Sequence, residues 1–297
     1  MKNLSNGMSK FLTLFVVTAL AALLCAPVVS ATPILGDDLA SFAVLGATGV
    51  TNVPTSTIGG NLGSAPNPSV GGGYVFTSGS LQANTPLAQN AQLQLDAAIL
   101  TVNAFLPDAT ITDGNLDAFQ STQTGGVIAP GTYAVAAATT NLVGDLVLDG
   151  GGSNTAVWVF QFSSTLITGS SSNVLVQNVG DGAGVGIYWT VGTGATLNGP
   201  TFEGNVLAQT LISSDGNLTV GCGRLLSATS QVTLIQDSIS IGDCLSVGYD
   251  QRGDTSGGGN GGGGNGGGTP VPEPATLLLF GSGLVGLVAF GKRFRKD

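Results

Sequence analysis

Side chains able to do chemistry are scarce in this sequence. Its 297 residues include 8 Lys plus Arg, 17 Asp plus Glu and no His. Without histidine there is no Ser-His-Asp or Cys-His relay, no HExxH zinc helix and no Cys2His2 site. The acidic residues never gather beside a Lys or Arg, so no catalytic residue is assigned and the chain does not read as an enzyme. Asp149, Asp181 and Asp215 sit at Gly-rich corners where a carboxylate can ligate calcium, but their spacing follows no ligand loop. Asx-type turns are their simpler use. Glu203, before Gly204, and Arg224, after Gly223, are placed for a structural ion pair. No metal and no cofactor is expected. Cys222 and Cys244 are an even pair once Cys25 is set aside, which in an exported chain reads as a disulfide; two buried free thiols are the alternative. A disulfide there would stabilise by about 3 kcal/mol in the chain-entropy model.

The elements that must position these residues follow from pattern. From Pro86 to Phe105 the apolar residues Leu87, Ala91, Leu95, Ala98, Ile99, Val102 and Leu106 recur at steps of three and four, a helical period. Asn84 or Thr85 can cap this helix, Pro86 suits its first turn and Pro107 stops it. Its other face (Gln89, Gln92, Gln94, Asp96, Asn103) is amide-rich. No second helical period is evident in the body. The remainder reads as short strands: 142–148, 156–162, 174–177, 186–191, 205–211, 217–221 and 232–235. Strands so closely spaced without intervening helices suggest an antiparallel sandwich or a coiled solenoid. The repeated small-polar corners at 149–152, 180–182 and 214–216 favour the solenoid. Trp158 and Trp189 fall within strands and are read as core or as packed against the helix.

Charge separates the body from the two ends. Only 8% of residues are charged, against roughly 25% in an ordinary soluble domain, and the net charge is −9. So few cations argue against a nucleic-acid partner, while 42% hydrophobic residues exclude a disordered chain. Six of the eight cations are terminal: Lys2, Lys10, Lys292, Arg293, Arg295 and Lys296. Residues 1–31 read as a signal peptide, with an apolar run from Phe11 to Leu24 and small residues Val29-Ser30-Ala31 for signal peptidase. Residues 32–252 form the body and 253–270 a Gly-rich linker. Residues 271–297 carry Pro272-Glu273-Pro274, an apolar run from Thr276 to Gly291 of marginal spanning length, and a basic end. That order resembles the PEP-CTERM sorting signal of Gram-negative bacteria. The resemblance implies an exosortase-type partner, transient membrane anchoring, and a final place at the cell surface or outside the cell.

The body resembles the type-1 microbial ice-binding (antifreeze) family over residues 35–242. The matching blocks include Leu45-Gly46-Ala47-Thr48-Gly49-Val50-Thr51-Asn52, Ile58-Gly59-Gly60-Asn61-Leu62-Gly63 and Ala129-Pro130-Gly131-Thr132-Tyr133. Further blocks are Val157-Trp158-Val159-Phe160-Gln161-Phe162, Tyr188-Trp189-Thr190-Val191, 202–210 and Gly223-Arg224-Leu225-Leu226, with Val232-Thr233-Leu234 last. The resemblance implies a mainly β fold, a right-handed, three-faced parallel β-helix with one long α-helix alongside. It also implies ice or ordered water as partner, with an exopolysaccharide-associated surface role as the second reading. Ice adsorption requires a flat, sparsely charged face: a threonine methyl disfavours liquid-like hydration while its hydroxyl anchors ordered water. The family's Thr-Ala/Gly-x-Thr/Asn pattern maps onto Thr48 and Thr51, Thr193 and Thr196, Thr210 and Ser213, and Ser230 and Thr233. The last two motifs depart from it, with Leu211 and Gln231 in the small position and one Ser in each.

Overall fold

The computed structural model describes residues 33–180 and 184–241. The signal-peptide, linker and sorting segments, together with Cys244 and Asp181, lie outside the described residues. No helix among the described residues is long and apolar enough to cross a membrane.

Strands are numbered along the chain. They form three ladders, and every strand pair among the described residues is parallel, which selects the solenoid over the sandwich. The first ladder holds Asp145–Asp149 (β10), Asn173–Gln177 (β13), the starts of Thr201–Ala208 (β16) and Thr219–Ser227 (β18), Ser238–Ser240 (β20), Ser56–Gly59 (β3) and Tyr74–Ser78 (β6). The second holds Ala109–Ile111 (β8), Gly131–Val135 (β9), Val157–Phe162 (β11), Gly186–Val191 (β14), the ends of β16 and β18, Phe42–Gly46 (β1), Asn61–Ser64 (β4) and Leu81–Ala83 (β7). The third is Leu166–Ile167 (β12), Ala195–Leu197 (β15), Ile212–Ser214 (β17), Gln231–Ile235 (β19), Gly49–Val53 (β2) and Val70–Gly71 (β5). Strands 16 and 18 run longer than the sequence pattern suggests because each passes from the first ladder into the second. Gly204 makes the bend in β16: its φ is +108°, and a Cβ there would lie 2.6 Å from the Trp189 indole nitrogen.

The stacking order is not the chain order. The first coil sits on the last, with Val50 opposite Val232, Val44 opposite Leu225 and Ile58 opposite Ile239. The chain must therefore return to the far end before it can begin its upward climb. The helix Pro86–Asn103 (α2) makes that return along the second ladder. Eighteen residues span about 27 Å, five to six strand spacings. Thr85 caps it by accepting from the Ala88 N–H, and Pro86 occupies the first turn. Ala88, Ala91, Leu95, Ala98, Ile99 and Val102 bury against Phe42, Leu45, Val159, Tyr188, Leu207 and Leu226. At its end the Gln161 amide donates to the carbonyls of Val102 and Phe105 at 2.8 and 3.0 Å.

Two helices have no counterpart in the sequence pattern, being too short to establish a period. Asp37–Ala40 (α1) has four residues and Leu116–Thr122 (α3) seven. Both tryptophans lie inside the coil rather than against α2, hydrogen-bonded through their indole nitrogens to the carbonyls of Ile128 and Glu203. An aromatic column runs up the interior through Phe119, Tyr133, Phe160, Trp189 and Phe202, with successive ring centroids 5.6, 5.3, 4.3 and 4.9 Å apart.

Helix α3 closes the end where β10 lies. The Asp117 carboxylate accepts from the N–H groups of Val143 and Gly144, and the Gln120 amide accepts from Val147 and donates to the Asp145 carbonyl. Side chains thus do for these backbone groups what another strand would have done. Asp117→Ala is expected to cost about 1–2 kcal/mol. Calorimetry should register it as a thermal midpoint lower by a few degrees, at about 2–4 °C per kcal/mol.

Candidate functional site

The third ladder alternates along its strands, except that Gly49 and Val50 of β2 are both buried. One residue faces the core, the next faces out. Leu166, Ala195, Ile212, Val232 and Val50 form an inward row at 0–1% exposure. The next position outward reads Ile167, Thr196, Ser213, Thr233, Thr51 and Gly71 on six successive strands. Four adjacent members of that row carry hydroxyls. Thr51 Oγ1 donates to Thr233 Oγ1 at 3.2 Å, and Ser213 Oγ lies 3.5 Å from Thr196 Oγ1. The other four sequence candidates fall two residues before the inward row, at the corner where each strand begins. There the Thr210 N–H donates to the Thr193 carbonyl at 2.8 Å, and the Thr48 N–H to that of Ser230 at 3.1 Å.

The eight residues therefore fall in two rows of four, one on the outward side of the third ladder and one at the corner where its strands begin. Between the rows come Gly194, Leu211, Gln231 and Gly49, so the two departures from the family pattern project from the middle of this face. Leu211 is 39% exposed. The six strands contain no charged residue. The nearest charge in register is Asp215, one place beyond β17 at the corner.

Sequence reasoning missed a second hydroxyl row. On the first ladder Thr201, Thr219, Ser238 and Thr57 stand in register. This row continues into Asn173 and Asp145, where Asn173 accepts from Thr201 and donates to Asp145, each at 2.7 Å. Asp149 lies on the same ladder, accepting from the Gly151 N–H in an Asx turn and from Gln177 and Asn178. Those three bonds, the backbone one foremost, hold its carboxyl below the usual carboxylate range. The spacing 201, 219, 238 is legible in sequence; the membership of Thr57 is not. The two exposed faces thus differ in chemistry, one uncharged and the other carrying carboxylates. The second ladder is covered by α2.

Among the described residues, no group of three or more His, Cys, Asp or Glu side chains could hold a metal. Glu203 accepts from the Cys222 N–H at 2.8 Å. Arg224 is buried and donates to the Ala40 carbonyl at 3.1 and 2.7 Å and to Asn205 Oδ1 at 2.9 Å. It fastens the C-terminus of α1 to the coil. Cys222 is fully buried.

Asp237 forms the corner between the two exposed faces. Its carboxylate accepts from the Ser214 hydroxyl and from the N–H groups of Leu218 and Ile235, while its own N–H donates to Ser56 Oγ. Burial raises its carboxyl above the ordinary value against the lowering effect of those bonds. A carboxyl raised on folding holds its proton more tightly folded than unfolded. Its contribution is therefore fully present below the ordinary value and lost as pH rises through the raised one. From about pH 4 upward, wild type should lose thermal stability relative to Asp237→Asn. Melting curves across the acidic range test this, and a wild-type minus variant difference that stays constant would contradict it.

A model of the ice-binding-like family matches residues 44–240, and a model of the PEP-CTERM protein-sorting motif matches 270–296. The ice-binding protein of Nostoc sp. (strain HG1) is 31% identical over 260 residues, covering 86% of this chain and 86% of its own. That of Flavobacterium frigoris (strain PS1) is 26% identical, over 68% of this chain and 74% of that protein. Among solved structures, the ice-binding protein of the Antarctic ascomycete Antarctomyces psychrotrophicus superposes with a TM-score of 0.60 at 29% identity. That match covers 71% of this chain and 98% of the other.

Proposed function

The chain belongs to the ice-binding-like family, and from that premise we propose that it adsorbs to ice through its third ladder. The observation that carries this reading is the hydroxyl row Thr196, Ser213, Thr233 and Thr51, held on adjacent strands about 4.8 Å apart on a face without charge. Each threonine presents a methyl and a hydroxyl at a fixed lattice position. Water over the row is ordered by methyls that disfavour liquid-like hydration and by hydroxyls that anchor it. On the first ladder, Asp145 and Asp149 would instead hold water radially around a carboxylate, out of register with a crystal. The corner row Thr48, Thr193, Thr210 and Ser230 widens the same face. We also propose a right-handed sense for the coil, as in the family fold, and Cys244 as the disulfide partner of Cys222.

The sorting motif supports export to the cell surface. In this reading signal peptidase removes residues 1–31, and the apolar run from Thr276 holds the protein transiently in the membrane. An exosortase-type enzyme then acts near Pro272, Glu273 and Pro274, and residues 253–270 serve as the tether.

The test is partition into growing ice together with thermal hysteresis. Thr233→Tyr is expected to reduce the ice-bound fraction to roughly a tenth, equivalent to about 1.4 kcal/mol of adsorption free energy. Thr219→Tyr on the other exposed face should leave it unchanged. If wild type neither enters ice nor alters its growth and is instead retained by extracted exopolysaccharide, the surface-matrix reading replaces this one. Processing is tested separately. Glu273→Ala should leave uncut, membrane-retained protein in envelope fractions, distinguishable from wild type by intact mass.

A further inference from the structure

The corner that carries the chain from β17 of the third ladder toward the first ladder reads Asp215-Gly216-Asn217-Leu218, and β18 begins at Thr219. Asn217-Leu218-Thr219 has the form Asn-x-Thr without a proline in the middle, the acceptor pattern for N-linked glycans. No other asparagine between residues 32 and 252 has a Ser or Thr two places on, apart from Asn67, where Pro68 intervenes. The fold presents both recognised side chains to water. Asn217 and Thr219 are exposed, while Leu218 between them is 1% exposed and packs in the core. The left-handed backbone of Asn217, with φ +57°, is one that asparagine tolerates. Backbone bonds hold the corner without using its side chain. The Asn217 N–H donates to the Ile235 carbonyl at 2.9 Å, and the Thr219 N–H to the Pro200 carbonyl at 2.9 Å. The Asn217 side-chain amide has no hydrogen-bond partner among the described residues. Asn178, another left-handed corner asparagine, instead donates its amide to Asp149 at 2.7 Å.

We propose that Asn217 is an N-glycosylation site, modified by an oligosaccharyltransferase from a polyprenyl-diphosphate-linked glycan once the chain has crossed the cytoplasmic membrane. The proposal rests on the export reading above. In the transfer, Asn217 Nδ2 forms a bond to C1 of the first sugar and gives up one proton. The C1–O bond to the diphosphate breaks, and the polyprenyl diphosphate leaves with its electron pair. The Thr219 hydroxyl is the group read two residues on. The Asp215 carboxylate, exposed two residues before, is placed to engage a basic peptide groove on the transferase. Transfer can precede folding, because the modified side chain stays outside the coil. The anchor lies three residues past Ser214, so the glycan rises from the edge of the hydroxyl face and not from within it.

Intact mass and peptide mapping of the chain purified from the envelope and medium of its source organism test the proposal. Wild type, with residues 1–31 removed, should be heavier than its sequence by one glycan, carried on the peptide that spans 215–219. Asn217→Gln should lose the whole increment. The fold accepts that change, since Gln236 occupies the equivalent corner of the next coil at φ +53°. Thr219→Val should lose the increment as well, whereas Thr219→Ser, which keeps the hydroxyl, should retain it. Circular dichroism should give all four the same β spectrum. A chain that lacks its leader yet has the bare sequence mass overturns the proposal and leaves export standing. An increment that survives Asn217→Gln does the same. A chain that retains residues 1–31 overturns the proposal and the export reading together.

Discussion

Backbone pairing between coils, in register and parallel, is the constraint from which the other properties of this molecule derive. Each strand engages the N–H and C=O groups of the next at about 4.8 Å. Side chains at the same position in successive coils are therefore stacked in rows. Inward rows become apolar columns such as Leu166, Ala195, Ile212, Val232 and Val50. Outward rows become whatever the sequence writes at that position. A one-residue slip would exchange the two, so the buried columns hold the hydroxyl row in place without any contact of their own to solvent.

The seam where the first coil lies over the last dictates the helix. Val50 pairs with Val232 and Thr51 with Thr233 across nearly the whole body, so the chain begins near one end and must travel back before it can climb. A helix accomplishes this with its interior backbone groups satisfied internally and its ends met by Thr85 and Gln161, and its Ala-rich face lies close on the second ladder. Arg224 joins the seam from below, its guanidinium on the Ala40 carbonyl. A buried cation in so uncharged a body is tolerable because three neighbouring hydrogen bonds are supplied to it.

With one ladder covered by α2, two faces remain for water, and they are divided by charge. The third ladder is neutral, whereas the first has its carboxylates bound into amide and hydroxyl chains through Asp145 and Asp149. Asp237 sits between them, buried and fully engaged, and fixes the angle at which one face turns into the other.

How much of this could be read beforehand depends on the range of the interaction. Local pattern was enough for α2 with Pro86 in its first turn, for a cap at Asn84 or Thr85, of which the structure uses Thr85, for the edges of β14 and for the buried tryptophans. It did not distinguish a sandwich from a solenoid on strands alone, because period two is common to both. The short helices α1 and α3 were invisible, since four and seven residues make too few turns to show a period. By itself the sequence determined which residues lack charge, which alternate, and where the chain turns, since these are properties of neighbours. Only the tertiary structure decided that Thr51 lies against Thr233, that Thr57 joins a row from the other end of the chain, and that α3 closes one end of the coil. Those facts arise from pairing between residues as much as 182 positions apart, and the spacing of side chains along one strand carries no record of which strand will lie beside it.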